Sequence, residues 1–459
     1  MKPNTNKKLF GTDGIRARAG EFPLDPATVR VIGASLAEHL HEQTGRDPHI
    51  VIGRDTRESG SSIEEALSAG ARSESAAVES AGVITTPGVA FLARSLPADA
   101  GVVISASHNP YYDNGIKIFA PSGSKLDDAT ERRIEADIAD RRLATIHELG
   151  SAASGECVGA GSLREKYLSY LREEVAGELT LRDLKIVIDC ANGAASELAP
   201  RLFNELGARV IAINNQPDGR NINLGCGSLH IEGLQQRVVA ERADLGIAFD
   251  GDADRALFVD EAANFVDGDG TMWVLANYMQ SRGELDHDLV VSTAMTNLGL
   301  EIALRERAIR LVRTDVGDKY VLEELLRSAA VLGGEQSGHI IFPRISLAGD
   351  GMITAINLVR VMREKQESLG RLALGFSRFP QVLVNIQVRE KIRFEALPRV
   401  QEVAHRIEQE VGDRGRLLLR YSGTEPLARV MIEGEDLQQV RTSAERLAAV
   451  IKAEIGSDG

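Results

Sequence analysis

Three carboxylates alternate in the stretch AFDGDADRALFVD: Asp250, Asp252 and Asp254, separated only by Gly251 and Ala253. An extended strand would point all three to one face, and a turn would wrap them around a point. At 4 Å and an effective dielectric of ~20, each pair repels by roughly 4 kcal/mol. A hard divalent cation with oxygen ligands removes that cost, and Mg²⁺ is the usual ion beside phosphates. The Gly and the distal bidentate Glu of an EF-hand loop are missing. A solvated acidic loop would share the spacing; the metal site is the reading adopted. Three carboxylates around a dication leave about one negative charge, and a phosphorylated serine adds roughly −1.5 to −2. A phosphoryl group therefore settles there only with cations close by. Arg255, Lys117 and Arg16 are the candidates.

A hydroxyl that could carry that group lies in GVVISASHNPYYDNGIKIF. A strand-like apolar run ends in Ser105, Ser107, His108 and Asn109, side chains that a core would exclude. Neighbours in sequence rarely face each other, so Ser107 and His108 are not taken as a nucleophile–base pair. The GxSxG elbow is absent as well. The hexapeptide alone also suits a turn capping a helix. Lys117, in NGIK, tips the reading toward a covalent phosphoenzyme on Ser107 and away from an acyl enzyme.

Weaker signals complete the set. RYSGTEPLAR brackets Ser422, Gly423 and Thr424 with Arg420 and Arg429, which could give several donors to one phosphate. GGEQSGHIIF carries Glu335, Ser337 and His339 on a tight turn; the pair of oxygens suits vicinal sugar hydroxyls, although the turn alone also fits a structural histidine. TDVGDKYV adds Lys319, and LFGTDGIRAR adds Arg16 and Arg18.

Positioning these groups requires strands that end in loops. HIVIGRDTRESGSSIEEALSAGA, LKIVIDCANGAASELAPRLFNELGA and HDLVVSTAMTNLGLEIALRERA each join a β-branched strand to an amphipathic helix, the βαβ pattern. The expected fold class is α/β: three similar α/β domains with mixed sheets. After Gly375, the order strand–helix–strand–strand–helix predicts a small α+β domain with an antiparallel sheet. The boundaries read 1–150 for the serine loop, 151–258 for the metal loop, 259–374 for the sugar-hydroxyl loop and 375–459 for the phosphate loop. ELGSAASGECVGAG, Glu148 to Gly161, reads as a linker, and DEAANFVDGDG as the division between the second and third domains.

The bulk numbers exclude as much as they suggest. A chain of 459 residues is too long for one core. A net charge of −14 gives a nucleic-acid partner no electrostatic support, and the 4% aromatic content argues against a stacking surface. Cys157, Cys190 and Cys226 are scattered and read as free thiols in a reducing compartment. The N-terminus lacks the apolar core of a signal peptide and no run reaches membrane length, so a cytoplasmic protein without a membrane partner is expected.

From LFGTDGIR through SASHNP, DGDADR and GEQSGH to RYSGTEP, the chain resembles the α-D-phosphohexomutase family along essentially its whole length. NINLGCGSLHIEGL and GGEQSGHII are more similar to the hexosamine-phosphate branch than to the phosphomannomutase/phosphoglucomutase branch. The resemblance implies four domains around a central cleft, with Ser107 as the phosphoserine. It implies one Mg²⁺ held by Asp250, Asp252, Asp254 and that residue. Lys117, Arg16, His108 and His339 would be catalytic or charge-neutralising. Arg255, Lys319, Glu335, Ser337, Arg420, Ser422, Gly423, Thr424 and Arg429 would bind substrate. The implied reaction interconverts glucosamine 6-phosphate and glucosamine 1-phosphate through glucosamine 1,6-bisphosphate, feeding UDP-N-acetylglucosamine and cell-wall precursors. The partner is a small phosphosugar, and the protein a monomer or homodimer. Three positions depart from the family pattern: Ala17 where GIRG is usual, and Leu347 and Ala348 where two Thr are common. The alternatives are a phosphomannomutase/phosphoglucomutase of the same family, a phosphatase using Ser107, and a sugar-phosphate sensor.

Overall fold

The computed structural model describes residues 8–11, 13–145, 159–422 and 426–457. Cys157, Gly423, Thr424 and most of the expected linker therefore lie outside the described residues, while Ala160 and Gly161 open the helix Ala160–Tyr170. The chain divides into two compact units, 1–293 with 314–373, and 294–313 with 374–459.

The first unit holds two complete sheets and three strands of a third. The first contains β1 (Phe10–Gly11), β2 (Gly14–Arg18), β3 (His49–Arg54), β4 (Ala77–Val83), β5 (Ala100–Ile104) and β6 (Asp113–Phe119), in the order β1-β2-β6-β5-β3-β4. β3 runs parallel to β4 and β5, whereas β6 is antiparallel to β5 and β2, so the sheet is mixed as expected. All five residues of β5 are buried, which is why its sequence is a continuous apolar run without alternation. The second sheet contains β7 (Lys185–Asp189), β8 (Arg209–Ile213), β9 (Leu245–Phe249), β10 (Ala256–Val259) and β11 (Phe265–Val266), in the order β11-β10-β9-β7-β8. β7 is parallel to β8 and β9, and β10 turns back antiparallel. The DEAANF segment, expected to divide two domains, forms the turn of the β10–β11 hairpin, because Asp260 Oδ1 accepts the backbone N–H groups of Ala262 and Asn264. In the third sheet β12 (Leu289–Thr293) pairs parallel with a later strand in the chain, which itself pairs antiparallel with the last one. Between them in sequence is β13 (Arg310–Thr314), and the later two are β14 (Gly333–Gly334) and β15 (Ile340–Ile341).

In the second unit β16 (Gln381–Gln387), β17 (Arg416–Tyr421) and β18 (Leu427–Glu433) form an antiparallel sheet in the order β16-β18-β17. The helices Pro398–Val411 and Leu437–Ile455 bury Val400, Ala404, Ile407, Val440, Ala444, Leu447 and Ile451 in its core, at the three- and four-residue spacing of amphipathic helices. This is the strand–helix–strand–strand–helix unit read from the sequence. The third βαβ segment is split: β12 belongs to the first unit and the helix Leu298–Glu306 to the second. Asn297 ties that helix into its unit, capping it at Gly299 N, accepting from Phe379 N at 2.9 Å and donating to Phe379 O at 3.0 Å.

Candidate active site

In an open parallel sheet, ligand-handling loops gather at the carboxyl ends of the strands. The loop after β5 carries Ser107 and the loop after β9 carries the three aspartates. After Ile104 the chain leaves the sheet, and Ser107 adopts a left-handed backbone with φ of 51°. Its Oγ donates to Asp250 Oδ2 at 2.5 Å, across 143 residues of sequence. The His108 Nδ1 lies 3.3 Å from the same Oγ. The expectation that adjacent residues do not face each other fails here, because the left-handed turn at Ser107 folds the chain back on itself.

Asp250, Asp252 and Asp254 offer carboxylate oxygens that all lie within 4.8 Å of one another. All three residues are buried. Ala253, with φ of 56°, bends the loop around them. Thr86 fixes the middle carboxylate: its Oγ1 donates to Asp252 Oδ2 at 2.6 Å and its N–H to Asp252 O at 3.0 Å. The other oxygens, Asp252 Oδ1 and Asp254 Oδ1, are buried without a hydrogen-bond partner. Buried oxygens left unsatisfied in an all-carboxylate nest fit a hard divalent cation. The environments differ along the loop. Burial, followed by the charges of Asp254 and Asp252, holds Asp250 well above the ordinary carboxylate range. Asp254 stays well below it, since Lys117, His339 and Arg255 outweigh its burial.

The cations read from the sequence converge here. Lys117 Nζ, 1% exposed, donates to Asp252 Oδ2 at 2.9 Å and Asp254 Oδ2 at 3.4 Å, and lies 3.2 Å from Asp13 Oδ2. Burial opposes its charge, but these carboxylates raise its pKa, so Lys117 remains an ammonium and neutralises charge. Arg16 pairs with Asp13, and its Nε is buried without a partner. Arg255 Nη1 lies 3.2 Å from His108 Nδ1, and the Arg255 N–H donates to Asp250 Oδ1 at 3.2 Å. His339 Nδ1 lies 3.6 Å from Asp254 Oδ2; burial disfavours its charge, yet Asp254 and Asp318 raise its pKa to about 9. His108 goes the other way: burial first, then Arg255 and Arg16, lowers it to about 4, which leaves a neutral imidazole at neutral pH. Five carboxylates, those of Asp13, Asp318 and the triad, thus stand among five basic groups, Lys117, Lys125, Arg16, Arg255 and His339. A dication and a doubly charged phosphoryl group could enter together without changing the balance.

Glu335 and Ser337 sit on the turn between β14 and β15, with Ser337 Oγ donating to Glu335 Oε2 at 3.4 Å. Gly338, at φ of 91°, lets this turn press on β10: a Cβ would lie 2.5 Å from Ala256 O. The turn is thereby locked to the strand that follows the metal loop. Lys319 lies outside the carboxylate cluster but lines the cavity that reaches it. Its Nζ donates to Asp128 Oδ1 at 2.5 Å, and it lines a cavity of about 320 Å³ with Lys125, Asp318, Leu347 and Ala348, whose inner residues are Lys117, Asp254 and His339. Two of the three departures from the family pattern therefore form this wall, while Ala17 lies on β2 opposite Asn114. Arg18 pairs with Glu21 in an exposed bridge and is not part of the cluster.

In the second unit, Arg420 of β17 and Arg429 of β18 are direct cross-strand neighbours, both half-buried, and Arg429 Nη2 reaches Ser422 Oγ at 3.4 Å. Arg420, Arg429 and Ser422 of the expected phosphate loop are thus neighbours on one sheet.

Sequence reasoning missed Asp13, Thr86 and the Asp55–Arg57 ion pair, which has no exposed side-chain surface. Asp13 stands inside a motif already quoted, GTDGIR. Thr86 and Arg57 carried no signal in sequence, because each acts on residues more than forty positions away.

Models of the phosphoglucomutase/phosphomannomutase domains match the chain in series: alpha/beta/alpha domain I at residues 7–144, domain II at 165–264, domain III at 267–379 and the C-terminal domain at 383–450. The phosphoglucosamine mutase of Solibacter usitatus is 49% identical over 450 residues, covering 98% of this chain and 99% of that protein. The phosphoglucosamine mutase of Mycobacterium ulcerans is 47% identical, covering 97% and 99%. Among solved structures, a phosphoglucomutase/phosphomannomutase family protein from Burkholderia thailandensis superposes with a TM-score of 0.77 at 23% identity, over 98% of this chain and 99% of that one. The Aspergillus fumigatus N-acetylphosphoglucosamine mutase, solved with GlcNAc-6P and magnesium, gives 0.62 at 18% identity, over 97% and 95%; both show the fold. With four domain models in order and near-half identity from end to end, the chain belongs to the phosphoglucomutase/phosphomannomutase family, the α-D-phosphohexomutases.

Proposed function

We propose that the protein is a phosphoglucosamine mutase, an isomerase that interconverts glucosamine 6-phosphate and glucosamine 1-phosphate. The observation that carries the chemistry is the 2.5 Å contact of Ser107 Oγ with Asp250 inside a nest of buried carboxylates and matched cations. The substrate assignment draws on the full-length similarity to phosphoglucosamine mutases. Asp250, Asp252 and Asp254 would hold one Mg²⁺, together with the Ser107 phosphate. Bound there, the ion supplies charge neutralisation for the transferring phosphoryl group.

In the first half-reaction the phosphorus–Oγ bond of phospho-Ser107 breaks and a bond to the sugar hydroxyl forms, giving glucosamine 1,6-bisphosphate. The hydroxyl proton ends on Oγ. His108, neutral and 3.3 Å from Oγ, is the group placed to carry it. Lys117, Arg16, Arg255 and His339 stay charged and lower the cost of the three equatorial oxygens. After the bisphosphate reorients, its 6-phosphate returns to Ser107 and glucosamine 1-phosphate is released. Glu335 and Ser337 are assigned to the sugar hydroxyls. Arg420, Ser422, Gly423, Thr424 and Arg429 are assigned to the phosphate that does not react; that assignment rests on the RYSGTEP pattern. Lys319, engaged by Asp128, is assigned to the substrate entry on the same basis.

Turnover of glucosamine, mannose and glucose 6-phosphates tests the reading. Glucosamine 6-phosphate should have the largest kcat/KM, with almost no inorganic phosphate released. A preference for mannose 6-phosphate would move the protein to the sister branch, and steady phosphate release would make it a phosphatase.

A further inference from the structure

The loop NINLGCGS, Asn221–Ser228, supplies no group to the chemistry above, yet it is held firmly. Asp189 at the end of β7 accepts from Ala191 N–H at 2.9 Å, Gly227 N–H at 3.0 Å and Asn214 Nδ2 at 3.0 Å. Asn223 N–H donates to Ala191 O at 2.9 Å. The fastening delivers one side chain. Asn223 Nδ2 donates to Ser107 O at 2.9 Å and to Asn109 O at 3.0 Å. The same two carbonyls receive Arg57 Nη2 at 3.1 and 2.6 Å. Gly251, in the metal loop, closes a third side: a Cβ there would lie 2.5 Å from Ser107 O and 2.9 Å from Asn223 Nδ2.

This convergence answers a need at Ser107. A left-handed backbone is strained for a non-glycine residue and persists only where the surroundings over-determine it. Relaxation to an ordinary φ would swing Oγ away from Asp250, and a displacement of about 1 Å at a reacting atom can cost on the order of 100-fold in rate. Asparagine suits the task. Its amide offers two protons, one for each carbonyl, and it tolerates its own left-handed φ of 58°.

We infer that Asn223, together with Arg57, is a positioning residue for phosphoryl transfer: by gripping the carbonyls of Ser107 and Asn109 it holds Ser107 in the left-handed conformation that aims Oγ at the metal loop. The NINLGCGS loop is then part of the transfer machinery and not a connector. The inference rests on the phosphoserine mechanism proposed above.

The test compares the full-length wild type with Asn223→Ala and Asn223→Asp. Glucose 1,6-bisphosphate serves as phosphoryl donor, intact mass reports Ser107 occupancy, and rapid quench reports transfer to glucosamine 6-phosphate. Asn223→Ala should keep KM and Mn²⁺ affinity within about threefold while single-turnover transfer falls about 10–100-fold. Asn223→Asp, which turns a carboxylate toward two carbonyls, should fall further, and the ³¹P shift of phospho-Ser107 should move in both. Should Asn223→Ala lose its fold, Asn223→Ser, which keeps one donor, should show the same split at roughly 3–10-fold. Transfer in Asn223→Ala within twofold of a phosphorylated wild type overturns the inference and leaves the mutase reading standing. A joint loss of Mn²⁺ affinity and melting temperature would mark the loop as merely structural and also overturn it. A wild type that never takes up phosphate refutes the mutase reading, and the inference with it.

Discussion

The two units handle charge in opposite ways. Around Ser107 the charged groups are buried and paired with opposite partners: Lys117 is 1% exposed, Asp250 and Asp252 are 0%, and every cation faces a carboxylate. On the β17–β18 sheet two arginines stand side by side at half-burial. The first arrangement is a balanced lattice that fixes geometry before a ligand arrives. The second sets two like charges side by side next to Ser422 on a sheet that solvent still reaches. The difference teaches where each site's energy resides. In the buried cluster it lies in preorganisation, so substitutions there should strike rate and metal binding. In the half-buried pair it lies in ligand attraction, so substitutions should strike affinity and leave the fold intact.

Ser107→Ala gives the sharpest test. It should fold, take up no phosphate by intact mass and lose activity by ~10⁴-fold or more; retained turnover would break the comparison at its centre. Next, Asp252→Asn should weaken Mn²⁺ binding by about 10–100-fold in calorimetry and slow turnover at least as much, because it disturbs Thr86 and Lys117 together. Its melting temperature should fall only modestly, since Lys117 loses one buried partner but keeps Asp13 and Asp254. In the second unit, Arg429→Ala should raise KM for the phosphosugar about 10-fold with a smaller change in kcat. A kcat defect at unchanged KM would show that this pair, too, is preorganised for the transition state.

The smallest effect concerns Asp350, whose carboxylate accepts from Tyr167 Oη at 2.7 Å and caps the helix Gly351–Lys365. Burial raises its pKa to about 6. The folded protein then binds this proton more tightly than the unfolded chain, whose carboxylate titrates near ~4. Its stabilising contribution is complete below about pH 4 and disappears as pH rises through about 6, amounting to about 3 kcal/mol. Denaturant unfolding of the wild type and Asp350→Asn across that range should differ in slope with this sign.

Much of the site could be read from spacing alone. Asp250, Asp252 and Asp254 are two residues apart, and no fold could carry them far from one another. The apolar run before Ser105 had to be a buried strand, and the residues after it had to leave the sheet. The 298–306 helix was equally plain from its periodicity, yet its allegiance to the second unit was not, because that depends on Asn297 finding Phe379 eighty-two residues later. Likewise DEAANF reads as a boundary by composition, while the hairpin it closes depends on Asp260 gathering its own backbone. Lys319 sat in a suggestive motif, and that Asp128 holds it beside the cavity was not legible there.

By itself, then, the chain determined which chemical groups occur and which travel together, since covalent spacing and hydrophobic period are local properties. Tertiary structure alone decided their states and aims: that His108 is neutral while His339 is charged, that Ser107 turns left-handed toward Asp250, and that Arg57 and Asn223 grip the same carbonyls. Those outcomes depend on burial and on contacts spanning fifty to more than a hundred residues, and neither quantity is written in any short stretch of sequence.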